Sequence, residues 1–169
     1  MPDANRAEAA ANRLEAATTR LIAEAERLPP ALVTWRPAEG VWSAMEILCH
    51  VDEFVPYWTG QTLQIVREPN RPWGRTHTDT ARLDAVGRAD ARTLADVVTS
   101  LRNGSRESCD RLRALSDADL DAEATSTNPR WGQKPASFVV EDLIVGHVEK
   151  HIGQIRRNVA QYEALKQAQ

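Results

Sequence analysis

Apolar residues recur along this chain at intervals of three and four, broken by polar stretches bearing proline and glycine, and this pattern predicts four long helices. From about Asn5 to Leu28, residues Leu14, Ala17, Leu21, Ala25 and Leu28 keep helical spacing in a segment rich in Ala, Glu and Arg. Pro29-Pro30 ends that helix, because a proline disfavours helical geometry in the residue before it and has no N–H to donate. A loop is expected over 31–42. The second helix is announced by Ser43-Ala44-Met45-Glu46, a capping box with Ser43 at N-cap and Glu46 at N3, and Trp42 and Ile47 stand at the staple positions. Ile47, His50, Phe54, Tyr57 or Trp58, Gln61 and Ile65 carry the period to about Val66, with Pro56 expected to kink the helix or divide it near Val55.

The stretch 67–90 holds Pro69, Pro72, Gly74, Gly87, Trp73 and His77 and shows no sustained period. A connection of that length is uncommon, and a partly ordered cover is expected. The third helix is expected from near Ala91 to Leu115 on the stripe Leu94, Val97, Val98, Leu101, Ser105, Ser108, Leu112 and Leu115, the two serines read as tolerated core hydroxyls. A second connection over 116–135 shows at most a short turn at Ser116-Asp117-Ala118-Asp119. The fourth helix, from near Ser137 to about Leu165, is apolar on two sides: Val140, Leu143 and Ile144 on one, Val145, Val148, Ile152, Ile155 and Val159 on the other. It is therefore expected at the centre.

Four such helices, with no strand-like alternation and no repeat, point to an all-α four-helix bundle of one domain, 1–169. If the helices alternate up and down, the second and fourth run parallel and start at the same end. His50 then lies seven residues from its cap, and His147 and His151 ten and fourteen from theirs. At about 1.5 Å per residue the two levels differ by less than two turns, close enough to converge.

Composition narrows the picture. At 42% apolar and 27% charged the chain is ordinary for a globular protein, and no apolar run reaches the roughly 18–20 residues of a membrane span. Met1-Pro2-Asp3-Ala4-Asn5-Arg6 lacks the basic-then-apolar layout of a signal peptide, so a cytoplasmic location without membrane partners is expected. Cys49 and Cys109 are too few for a disulfide framework and read as reduced, buried thiols. A net charge of -3 and a pI near 5.8 supply no general electrostatic reason to bind nucleic acid.

The chemistry lies in the histidines. His147 and His151, four apart, share one helix face, and His50 falls on the inward face of the second helix. One such histidine is more often a hydrogen-bonded core residue than a ligand; three on buried faces ask for an explanation, since burying bare imidazoles is unfavourable. Three neutral imidazoles suit zinc, nickel or ferrous iron and leave a coordination position open, the pattern of catalytic sites, where a bound water or thiol is acidified. Glu149 lies about 200° round the helix from His147, so the run is not a zincin motif. Glu53, one turn beyond His50, is a candidate base beside the metal or else a solvated carboxylate. His77 is a candidate fourth ligand or proton shuttle or else merely exposed.

The run Val41-Trp42-Ser43-Ala44-Met45-Glu46-Ile47-Leu48-Cys49-His50, followed about a hundred residues later by His147-x-x-x-His151-x-x-Gln154-Ile155, resembles the DinB-like family, also called the YfiT-like metalloenzymes, over nearly the whole chain. The resemblance implies a four-helix bundle, His50, His147 and His151 as ligands of a divalent metal, and a homodimer. It also implies small-molecule chemistry: thiol-dependent S-transfer using bacillithiol or mycothiol, a mycothiol-dependent maleylpyruvate isomerase, or hydrolysis. The leading expectation is a metal-dependent transferase that joins a low-molecular-weight thiol to a small electrophile. The alternatives are a metal-dependent hydrolase and a non-catalytic stress-response or ligand-binding bundle.

Overall fold

Four long helices form where the periodicity places them in the computed structural model, which describes residues 5–168. The segment Met1 to Ala4, on which part of the leader-peptide reading rests, lies outside the described residues. Helix α1 spans Arg6–Glu26, capped by the Asn5 side chain, and buries a stripe of alanines with Leu14, Leu21 and Ile22. Pro29-Pro30 ends it as expected, although Pro30 then opens one further turn, α2 (Pro30–Val33), because a proline costs nothing at the first helical position.

Helix α3 (Ala44–Arg67) begins at the predicted capping box: Glu46 N–H donates to Ser43 Oγ, and Ser43 N–H donates to the Glu46 carboxylate at 2.8 Å. Burial works against that carboxylate, but donors from Arg36 and Ser43 outweigh it and hold its pKa below the usual range. Of the two expectations at Pro56, a kink or a division near Val55, the division does not occur. The helix runs through unbroken, losing one backbone bond while Val55, Trp58 and Thr59 on either side stay buried. The next long helices are α5 (Leu94–Arg113) and a composite of α7 (Ala136–Phe138), a π-helical segment Val139–Val145, and α8 (Gly146–Gln167). Between α3 and α5 lies α4 (Thr80–Gly87), so the cover is more ordered than its sequence suggests. Between α5 and α7 lie α6 (Asp117–Asp121) and an antiparallel hairpin, β1 (Glu123–Thr125) with β2 (Gln133–Pro135), where only a turn was expected.

Helix directions depart from simple alternation. Arg113 of α5 reaches Asn12 and Glu15 of α1 while Arg102 reaches Glu26, so α1 and α5 are antiparallel. Arg13 pairs with Glu141 and Arg156 with Glu24, so α1 and the composite helix are parallel. Asn158 donates to the Trp42 carbonyl at 2.9 Å, and Phe54 stacks on His147 at 4.3 Å, so α3 and α8 are antiparallel. Asp52 meets Arg92 near the starts of α3 and α5, and Leu63 and Val66 face Leu115 near their ends. The order is up, down, down, up, with α1 and α3 each packed between α5 and the composite helix. The expectation that the second and fourth helices run parallel from one end is thereby corrected.

The 68–93 connection follows from this order. Two parallel neighbours, α3 and α5, require the chain to return along the bundle, and α3, at 24 residues, is about 36 Å long. The return strand is pinned by Trp73, which pairs with Thr125 and Thr127 through its backbone and donates its indole N–H to the Ala124 carbonyl at 2.8 Å. Gly74 follows with φ of 88°, and a Cβ there would stand 3.3 Å from Ser126 Oγ. Among the described residues no helix is long and apolar enough to cross a membrane.

Candidate metal centre

Because α3 descends as α8 ascends, His50 comes level with His147 and His151. The ring centroids lie 5.4 Å (His50 to His147), 5.1 Å (His50 to His151) and 4.7 Å (His147 to His151) apart. One ring nitrogen from each falls within 4.8 Å of the others. Phe54 and Trp42 wall the cluster, Trp42 at 5.0 Å from His50, so His50 and His151 are buried and His147 half-buried.

Burial, then the neighbouring His151, His147 and Arg82, pushes the His50 pKa down to about 2. Burial, His151 and Lys150 push His147 down to about 3 against a hydrogen bond with the Leu143 backbone. Burial also lowers His151, against the contact of its Nδ1 with Gln154 Oε1 at 3.1 Å. All three therefore stand neutral at physiological pH. His50 Nδ1 and His151 Nε2 are buried without a hydrogen-bond partner, each unmet group costing about 1–3 kcal/mol. A donor set of neutral imidazoles with orphaned lone pairs fits a divalent cation of borderline softness, and Gln154 and the Leu143 backbone orient two of the rings from behind.

His50 and His147 also line a cavity of about 530 Å³, bounded by α3, the 68–93 crossover, the hairpin loop and α8. His77 sits exposed at its mouth. Glu53 is neither a free base nor a solvated carboxylate: it grips buried Arg75 through two bonds of 2.6 Å, and the Arg75 guanidinium carbon lies over the Tyr57 ring, 3.8 Å from its centre. Glu149 is exposed, as its helical phase requires. Cys49 is buried, its thiol pKa raised by burial.

Two features of the site escaped the sequence. Arg75 and Arg82 line the cavity together with Arg130, although Arg130 lies some fifty residues from the other two and none of the three belongs to a histidine motif. The π segment ends at Gly146, whose N–H bonds five residues back to the Glu141 carbonyl, one residue before His147. A Cβ at Gly146 would stand 2.9 Å from that carbonyl oxygen. A glycine immediately before a helical histidine was the one available signal. Gly146→Ala is expected to shift the turn that aims His147 and weaken zinc affinity about 10–100-fold, the range for losing support behind a ligand. Zinc titration with circular dichroism as a fold control checks this; native affinity in the variant removes the positioning role.

A helical bundle with three histidines converging from two antiparallel helices onto a side cavity defines a class of candidate metal-dependent proteins. The chain belongs to the DinB superfamily, whose family model matches residues 13–155. Among solved structures it is similar to YfiT from Bacillus subtilis, "a probable metal-dependent hydrolase with an unusual four-helix bundle topology". The two share 13% identity with a TM-score of 0.78, covering 96% of this chain and 92% of that one. It is also similar to a mycothiol-dependent maleylpyruvate isomerase at 12% identity and a TM-score of 0.70, over 88% of this chain but only 60% of the isomerase. A histidine-to-alanine mutant of that isomerase matches with a TM-score of 0.69 at 12% identity, over the same 88% and 60% of the two chains. At such identities the likeness is one of fold. Comparison with curated proteins gives no match.

Proposed function

We propose that this chain is a metal-dependent enzyme in which His50, His147 and His151 hold one divalent cation, zinc or nickel foremost and ferrous iron next, and that it joins a low-molecular-weight thiol to a small electrophile. The observation that carries the reading is the convergence of three neutral imidazoles whose ligand atoms lie within 4.8 Å of one another, two with buried nitrogens left unpartnered. A cation bound there lowers the pKa of a coordinated thiol, supplying the thiolate that is the reactive form.

The chain's own groups do the rest. Trp42 and Phe54 keep the imidazoles dry and neutral, and the cavity beside His50 and His147 receives the electrophile. The thiol proton passes to solvent, the sulfur lone pair forms the new C–S bond, and the leaving group departs with its electron pair. No Asp or Glu lines the cavity, so either nucleophile, thiol or water, would depend on the cation rather than on a carboxylate base for its activation. The dependence of one structural relative on mycothiol supports the thiol, and bacillithiol is the other candidate. The metal-dependent hydrolase named for the other relative is the second reading. A homodimer belongs to the same proposal.

Protein purified without a histidine tag and loaded with zinc or nickel is to be incubated with cysteine, mycothiol or bacillithiol and a chlorodinitroaryl electrophile. Thioether formation that needs both metal and thiol is expected. Release of the hydroxylated product without any thiol dependence selects the hydrolase; substoichiometric metal that does not rise on reconstitution overturns both and leaves a non-catalytic bundle.

A further inference from the structure

The chain carries a net charge of -3, yet the cavity beside the histidines is lined by Arg75, Arg82, Arg130 and His77 and by no carboxylate. Arg75 is neutralised by Glu53 and by Asp79 at 3.1 Å, but its Nε–H is buried without an acceptor. The Arg82 side chain gives one bond, to the His77 carbonyl at 2.9 Å, and its charge acts on all three histidines. Neither Arg82 nor Arg130 forms an ion pair among the described residues. Trp58, Trp131 and Leu143 line the same cavity. Cationic donors alone would suit any anion; cationic donors sharing a cavity with indole and aliphatic side chains suit an anion with a hydrocarbon body.

We propose that this cavity takes a small organic carboxylate, with its acid group on Arg82 and Arg130 and its carbon body against Trp58, Trp131 and Leu143. Its place as substrate rests on the reading of the histidines as a metal centre, but the carboxylate subsite is built from protein groups alone. It is therefore tested on apoprotein and zinc-loaded protein separately, by calorimetric titration with hexanoate, hexanamide and inorganic phosphate.

Hexanoate is expected to bind both forms, at least tenfold more tightly than either hexanamide or phosphate. Arg82→Gln and Arg130→Gln are each expected to weaken it about tenfold, the effect of losing one charge-assisted bond, with native melting temperatures because both side chains reach solvent. Equal affinity for hexanoate and hexanamide, or hexanoate affinity unchanged in the double variant, overturns the proposal; so does phosphate binding as tightly as hexanoate. Hexanoate that binds only zinc-loaded protein and ignores both substitutions places the carboxylate on the metal, overturning this proposal while leaving the metal reading. Hexanoate that still binds through the arginines in protein that takes up no zinc has the reverse effect.

Discussion

Zinc at a hundred to a thousand times its dissociation constant is expected to raise the melting temperature of the apoprotein by about 5–15 °C, and His147→Ala to abolish most of that rise. Ligand that binds only the folded state adds about 2.7–4.1 kcal/mol at those ratios, and a domain of this size gains about 2–4 °C per kcal/mol. Sharing the roughly 10–16 kcal/mol apparent for a four-ligand zinc site equally gives about 3 kcal/mol per ligand, so losing one imidazole weakens zinc binding a hundredfold or more. The variant also separates ligation from packing. In the apoprotein His147 bonds to the Leu143 backbone and stacks on Phe54 at 4.3 Å, so its removal lowers the apoprotein's own melting temperature, and ligation is read from the zinc-induced rise above that baseline. Scanning calorimetry with and without zinc checks the pair; a native zinc response in His147→Ala sinks the ligand assignment.

Trp73→Ala is expected to have the largest effect on the fold outside the histidine cluster, about 3–5 kcal/mol, or roughly 6–20 °C in melting temperature. Trp73 is fully buried, stacked on Trp131 at 5.6 Å with 6° between the planes, and its loss leaves the Ala124 carbonyl without its indole donor. The consequence reaches the site, since this one residue ties the crossover carrying Arg75 and Arg82 to the hairpin loop carrying Arg130. Trp73→Phe keeps part of the packing without the N–H and should fall between. Urea denaturation measures the series; a loss under about 1 kcal/mol in the alanine variant would show that the crossover is held elsewhere.

The Ser43 capping box, the inward stripes of α1 and α5 and the outward phase of Glu149 were all legible, because each depends on spacing within one helix. Pro56 does not divide α3, because one lost backbone bond is small beside the buried side chains around it. The hairpin β1–β2 was hidden because three-residue strands are too short to show a period, and its partner, Trp73, lies some fifty residues away. Glu53 was read as a base or a solvated group because Arg75, which occupies both its oxygens, lies across the crossover.

By itself the sequence determined the helices, their buried faces and the three histidines on those faces, since helical phase is a local property that a period of 3.6 residues makes readable. Only the tertiary structure decided how those faces meet. An inward stripe looks the same whether its helix points up or down, so the antiparallel course of α3 against α8, which brings His50 level with His147 and His151, had no signature in the chain. The three arginines of the cavity are likewise the product of packing. They come from a crossover and a hairpin loop that meet only because the parallel pair α3 and α5 forces the chain back across the histidines.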